Sequence, residues 1–221
     1  KYNQGRIIMS KIILTSDGID SKEIYDYFDN IVNKDVKIGI ITTAKDEKEN
    51  AKGPQRHKKL FRKMSAQIID FIDLEVENPN IILNYDIIFL EGGNPFRLIY
   101  WIRKSKSEPI FKQFLANGGV LVGRSAGSLV LGQDFSICNY LSPEMNNFDI
   151  TDFSGLGLCD VNICPHYNVF PDLYEDCEKK LKRCEKEQNI KIDKLYDGQA
   201  FIVFDKTVGK IVGEVDLELT K

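Results

Sequence analysis

Histidine is scarce in this chain: two in 221 residues, alongside one tryptophan. Any chemistry that needs an imidazole base has only His57 and His166 to draw on. No cysteine pair has CxxC spacing. The five cysteines, Cys138, Cys159, Cys164, Cys177 and Cys184, are an odd number in a chain long enough to bury a full core without staples. Reduced thiols and a cytoplasmic location are therefore expected. An excess of one charge is also missing. With a formal charge of -3 there is no bulk attraction for phosphate backbones or anionic lipid, so neither nucleic acid nor a membrane is an expected partner. The apolar stretch at residues 12–14 is far too short for a signal core or a membrane span. Internal repeats, low-complexity tracts and linkers rich in Pro, Gly or Ser are absent too, which argues against a second domain. Because Met9 stands just before a clean strand pattern, residues 1–8 read as a tag or linker and residues 9–221 as a single domain.

What is present is a rhythm. Short, nearly continuous apolar runs at residues 11–15, 36–42, 67–70, 85–90 and 119–122 read as strands buried on both faces, hence a parallel sheet. Between them, residues 21–33, 47–64 and 94–117 carry helical spacing and are long enough to cross a sheet face. The alternation predicts a doubly wound α/β fold with a mostly parallel sheet flanked by helices. Gly118-Gly119 fits a helix stop before the fifth strand, and Asn78-Pro79 a turn before the fourth. Beyond residue 142 the pattern loosens, then gives a charged helix over residues 172–188 and a hairpin-like end over 199–219. An edge strand or the 172–188 helix offers a surface for a homodimer, without an apolar stripe that marks one.

The segment richest in chemistry is the run from Gly119 to Gly132, in which a buried strand enters Gly123-Arg124-Ser125-Ala126-Gly127 and then an apolar helical start. A nucleophile at the tip of a strand-turn-helix occupies strained backbone, so the residues two positions away must be small. Ser125 is the candidate nucleophile, and the amide of Ala126 at the following helix start can hold an oxyanion. A second glycine turn, Glu91-Gly92-Gly93-Asn94, ends the preceding strand at the same sheet edge and can supply the second donor. The same elbow could instead serve a non-catalytic metabolite-binding protein as an anion-holding turn. A glutamine amidotransferase would want cysteine at position 125.

A serine hydroxyl needs a base within hydrogen-bond reach. His57 lies in Gln55-Arg-His-Lys-Lys59, which reads as a solvated charged face. His166, in Ile163-Cys-Pro-His-Tyr-Asn168, follows a short apolar run and a proline that restricts the backbone, and is the expected base. The acid that orients it is sought between the two: Asp134, Glu144, Asp149, Asp152 and Asp160 all qualify, with Glu144 first and Asp149 second.

The opening Ile-Leu-Thr-Ser16, Glu-Gly-Gly-Asn-Pro-Phe-Arg-Leu98, Gly-Arg-Ser-Ala-Gly127, Pro-His-Tyr-Asn168 and Asp-Gly-Gln-Ala200 together resemble the aspartyl dipeptidase (dipeptidase E) and cyanophycinase group of serine peptidases. The resemblance runs along most of the chain and implies a class I glutamine amidotransferase-like fold. It also implies Ser125 as nucleophile, His166 as base, Gly93 and Ala126 as oxyanion donors, and no metal or organic cofactor. The third residue it implies is an acid in the loop after the nucleophile helix, which favours Glu144. The implied substrates are small peptides, either Asp-X dipeptides or β-aspartyl peptides. An aspartyl substrate would call for a basic side chain, for which Arg97, Arg124 and Arg183 are the candidates.

Overall fold

The computed structural model describes residues 12–205 and 208–213. The tag or linker expected at residues 1–8 lies outside the described residues. In chain order the elements are β1 (Ile12–Thr15), α1 (Lys22–Asp29), β2 (Lys37–Ile41), α2 (Lys52–Lys63), β3 (Ile68–Ile72), β4 (Ile87–Leu90), α3 (Pro95–Lys104) and α4 (Glu108–Ala116). They continue with β5 (Val120–Arg124), α5 (Ala126–Leu131), α6 (Ile137–Leu141), β6 (Ile163–Cys164), α7 (Phe170–Leu173), α8 (Cys177–Gln188), β7 (Asp193–Lys194), β8 (Ala200–Asp205) and β9 (Val208–Val212).

Seven strands form one sheet in the order β3-β2-β4-β5-β1-β8-β9. The five strands expected from the apolar runs pair in parallel, and β8 and β9 add an antiparallel edge. The strands are apolar at successive positions because both faces are covered. Ile13, Ile87, Phe89, Val120 and Val122 pack with α1 and α2, whereas Leu14, Ile88, Leu90 and Leu121 pack with α3, α4 and α5. Alternate side chains of one strand thus enter two separate cores.

Local chemistry explains the helix ends. The side chain of Ser21 caps α1 by accepting from the amide of Ile24, and Asn94 caps α3 by accepting from Phe96 and Arg97. The single helix expected over residues 94–117 is two. Lys106 takes a left-handed φ of 58°, and Ser107 turns its hydroxyl and amide back to the Ile102 carbonyl just ahead of Pro109, which cannot continue the hydrogen-bond ladder. Gly118, at φ 94°, ends α4 as expected from the glycine pair, and no Cβ could sit there without strain.

β8 matters most for function. It runs antiparallel to β1, with Ala200 opposite Thr15. Its first residues therefore lie at the carboxyl end of β1, the same edge at which β4 and β5 finish.

Candidate active site

Three strand ends build the site. β5 delivers Ser125 at φ 48° and ψ -109°, a strained conformation for a residue with a side chain. Close packing requires both flanking glycines. A Cβ on Gly127 would fall 2.1 Å from the Leu90 carbonyl oxygen, and one on Gly123 would fall 2.5 Å from the backbone of Ser128. The elbow is strapped to β1: the Ser125 amide and the Ser128 hydroxyl both donate to the Thr15 carbonyl, at 3.1 and 2.8 Å. Ala126, the first residue of α5, lines the pocket beside Ser125. β4 brings Gly92 against Ser125 and Gly93 to the pocket beside it, with Gly93 at φ 148° and backed by the Ala44 carbonyl.

His166 reaches the same edge from the short strand β6. Its amide donates to the Ser16 hydroxyl at 2.7 Å, and its own φ is 55°. Its Nδ1 lies 2.7 Å from an Asp197 carboxylate oxygen, with the two side chains 21% and 29% exposed. Ser16, at the end of β1 and fully buried, also donates to Asp197 at 2.8 Å, and the Asp197 amide donates to the Asn168 side chain at 2.9 Å. Burial alone would raise the Asp197 carboxyl, but the hydrogen bond and charge of His166 and the Ser16 hydroxyl together hold it below the ordinary carboxylate value. An ionised Asp197 can only accept, so Nδ1 of His166 carries the proton between them, and in the neutral ring the lone pair is then on Nε2.

The acid paired with His166 is thus Asp197 and not Glu144. Glu144 is exposed on the short 3-10 turn Pro143–Met145, and Asp149 is exposed as well. The other carboxylates of that stretch have local tasks: Asp134 binds Ser136, Asp152 binds Ser154, and Asp160 accepts from Gln133. Looking only between Ser125 and His166 misses Asp197. The available signal was Asp197-Gly198 immediately before β8, a strand that returns beside β1.

His57 departs from the solvated face expected of it. It is fully buried on α2, in line with Pro54 and Phe61, a helical spacing that the surrounding lysines and arginines obscure. Its Nδ1 lies 2.6 Å from buried Glu91, its ring stacks at a tilt on Phe89, and its Nε2 has no hydrogen-bond partner among the described residues. Glu91 also faces Arg124 at 3.5 Å, and Arg124 binds the carboxylate and carbonyl of Asp17. A chain of titratable and charged groups, buried at His57 and Glu91 and partly exposed at Arg124 and Asp17, therefore lies next to the elbow.

The three arginines considered for an aspartyl substrate are all engaged. Arg124 holds Asp17 and Glu91, Arg97 holds Glu75, Asp46 and the Thr43 carbonyl, and Arg183 pairs with Glu187 on the exposed face of α8. Among the described residues no group of three or more His, Cys, Asp or Glu is arranged to hold a metal ion. A broad surface hollow of about 640 Å³ beside Trp101 and Lys104 shares no residue with the Ser125 and His166 region.

The family model for peptidase family S51 matches residues 12–211, and with it every residue of the site just described. The chain belongs to peptidase family S51. It is a serine-type peptidase. Among curated relatives, an uncharacterized peptidase of Pasteurella multocida is 27% identical, over 74% of this chain and 80% of that protein. An uncharacterized peptidase of Listeria innocua is 23% identical, over 90% of this chain and 95% of its own length. A Nostoc protein named peptidase E is 28% identical over 51% of this chain and 45% of that protein. The fold is that of a solved candidate peptidase E protein from Listeria monocytogenes EGD-e, with a TM-score of 0.76 at 19% identity over 94% of this chain and 100% of that one. Among the described residues no helix is long and apolar enough to cross a membrane.

Proposed function

We propose that this S51 peptidase hydrolyses short peptides through Ser125, His166 and Asp197. The observation that carries the proposal is the 2.7 Å bond from His166 to Asp197 at the same sheet edge as the strained Ser125 elbow. Ser125 Oγ attacks the scissile carbonyl carbon as its proton passes to Nε2 of His166. Asp197 accepts from Nδ1–H, which keeps the ring in the tautomer that can take that proton and stabilises the imidazolium that results. The amides of Gly93 and Ala126 receive the developing oxyanion. His166 then hands the proton to the departing amine, and water repeats the sequence to release the acyl group from Ser125.

Five unpaired thiols fit work in a reducing compartment, which supports a cytoplasmic location. The test is a screen of di- and tripeptides with the purified protein and its Ser125→Ala variant. Peptide hydrolysis should appear in the former and vanish in the latter while the thermal midpoint stays within a few degrees. Equal hydrolysis by both would overturn the assignment.

A further inference from the structure

The pocket beside Ser125 differs in character from the rest of the sheet edge. It has a volume of about 70 Å³, is lined by Gly93, Ser125 and Ala126, and is walled chiefly by Leu129, Ile137, Leu141, Met145 and Phe170. Among the described residues that line it there is no lysine, arginine or histidine. Its polar atoms are few and neutral. The Ser142 hydroxyl is spent on the Tyr174 hydroxyl at 2.7 Å. The thiols of Cys138 and Cys164 also line the pocket; burial pushes the first up to about 12 and the second well above the ordinary thiol value, so neither presents a charge. The charged groups near Ser125 sit elsewhere. Arg124 pairs with both Glu91 and Asp17 outside the pocket lining, and the stem of Lys45 packs against Gly93 and Gly53.

From this we infer that the pocket is the subsite for the side chain of the residue that supplies the scissile carbonyl, and that it selects an uncharged, apolar side chain over aspartate. The inference rests on Ser125 being the nucleophile. A carbonyl carbon at Ser125, with its oxygen at Gly93 and Ala126, places its α-substituent at the mouth of this pocket, because the same residues line both. An aliphatic side chain gains by leaving water there. An ionised carboxylate would lose its hydration there and meet no cation among the described lining residues, only neutral hydroxyl and thiol groups, a desolvation penalty that an uncharged near-isostere escapes. The selectivity therefore departs from the aspartyl preference that the family resemblance implies.

Leucine, asparagine and aspartate have side chains of nearly the same shape and differ in polarity and charge, so they isolate the effect. The measurement is kcat/KM for Leu-Ala, Asn-Ala and Asp-Ala, each as the free dipeptide and at the amino end of a tetrapeptide. Fluorophosphonate labelling of Ser125, read by intact mass, runs alongside. Leu-Ala should exceed Asp-Ala by about 100-fold, with Asn-Ala between. Met145→Lys should then raise the Asp-to-Leu ratio at least tenfold by placing a cation in the wall, and a thermal midpoint checks that this variant is folded. The comparison within the unmodified protein stands without it. Asp-Ala cleaved as well as or better than Leu-Ala would overturn the inference and leave Ser125 as nucleophile. So would a labelled Ser125 with no cleavage of Leu-Ala. Neither labelling nor cleavage of any peptide would overturn the serine-peptidase mechanism itself, and the inference with it.

Discussion

The chain's two histidines each hold a carboxylate through Nδ1, His57 with Glu91 at 2.6 Å and His166 with Asp197 at 2.7 Å. Their surroundings separate them. Both members of the first pair are 0% exposed, and the free nitrogen of His57 is sealed against Gly18, where an added Cβ would lie 2.3 Å away. The second pair is partly open, and its ring faces Phe170 near the pocket of Ser125. A histidine–carboxylate hydrogen bond is thus not by itself a catalytic device. In the mechanism proposed above, the open pair serves as the proton carrier, while the sealed pair is part of the scaffold beside the elbow.

The comparison breaks first at Ser125 and His166. Ser125→Ala or His166→Ala should lower kcat/KM for a cleaved peptide by roughly 10⁴-fold or more, with Tm nearly unchanged. If His57 were the base, His166→Ala would retain most activity. Asp197→Asn comes next and should cost about 10²- to 10⁴-fold in kcat, because the amide would favour the wrong tautomer of His166. The same carboxylate ties stability to pH. Its folded-state pKa is lowered, so its contribution is complete above the unfolded value of about 4 and is lost as pH falls through the lower folded value. Denaturant titrations between pH 6 and 3 should show a smaller acid loss in Asp197→Asn than in the unmodified protein.

His57 should answer in the opposite way. His57→Leu leaves Glu91 buried with only the more distant Arg124, and should destabilise the fold by about 3 kcal/mol in urea unfolding while kcat falls less than about tenfold. The smallest effect is expected at Glu144. Its side chain is exposed and His166 Nδ1 is held by Asp197 instead, so Glu144→Gln should change kcat/KM by less than about twofold.

Much of this could be read along the chain because it depends on near neighbours. Strands β1 to β5 show as apolar runs, since helices cover both faces, and the elbow shows because its glycines lie within two residues of Ser125. What escaped depends on contacts distant in sequence. Asp197 meets His166 only because β8 turns back along β1, a pairing between residues nearly the whole chain apart. Ser16, which binds both the His166 amide and Asp197, is one more serine at a strand end until that pairing is known. His57 was hidden by its neighbours: Arg56, Lys58 and Lys59 fill the exposed side of α2 while positions 54, 57 and 61 face the sheet. A period count would have placed it inside where residue type alone did not.

The most direct test of the central claim, that His166 with Asp197 activates Ser125, is the rate of fluorophosphonate acylation followed by intact mass. The unmodified protein, Asp197→Asn and His57→Leu would be compared at one pH, with Ser125→Ala as the blank. A single adduct that forms at least about 100-fold more slowly in Asp197→Asn, and at nearly the unmodified rate in folded His57→Leu, is the predicted result. Equal rates in Asp197→Asn and the unmodified protein, or loss of labelling in folded His57→Leu alone, would contradict it.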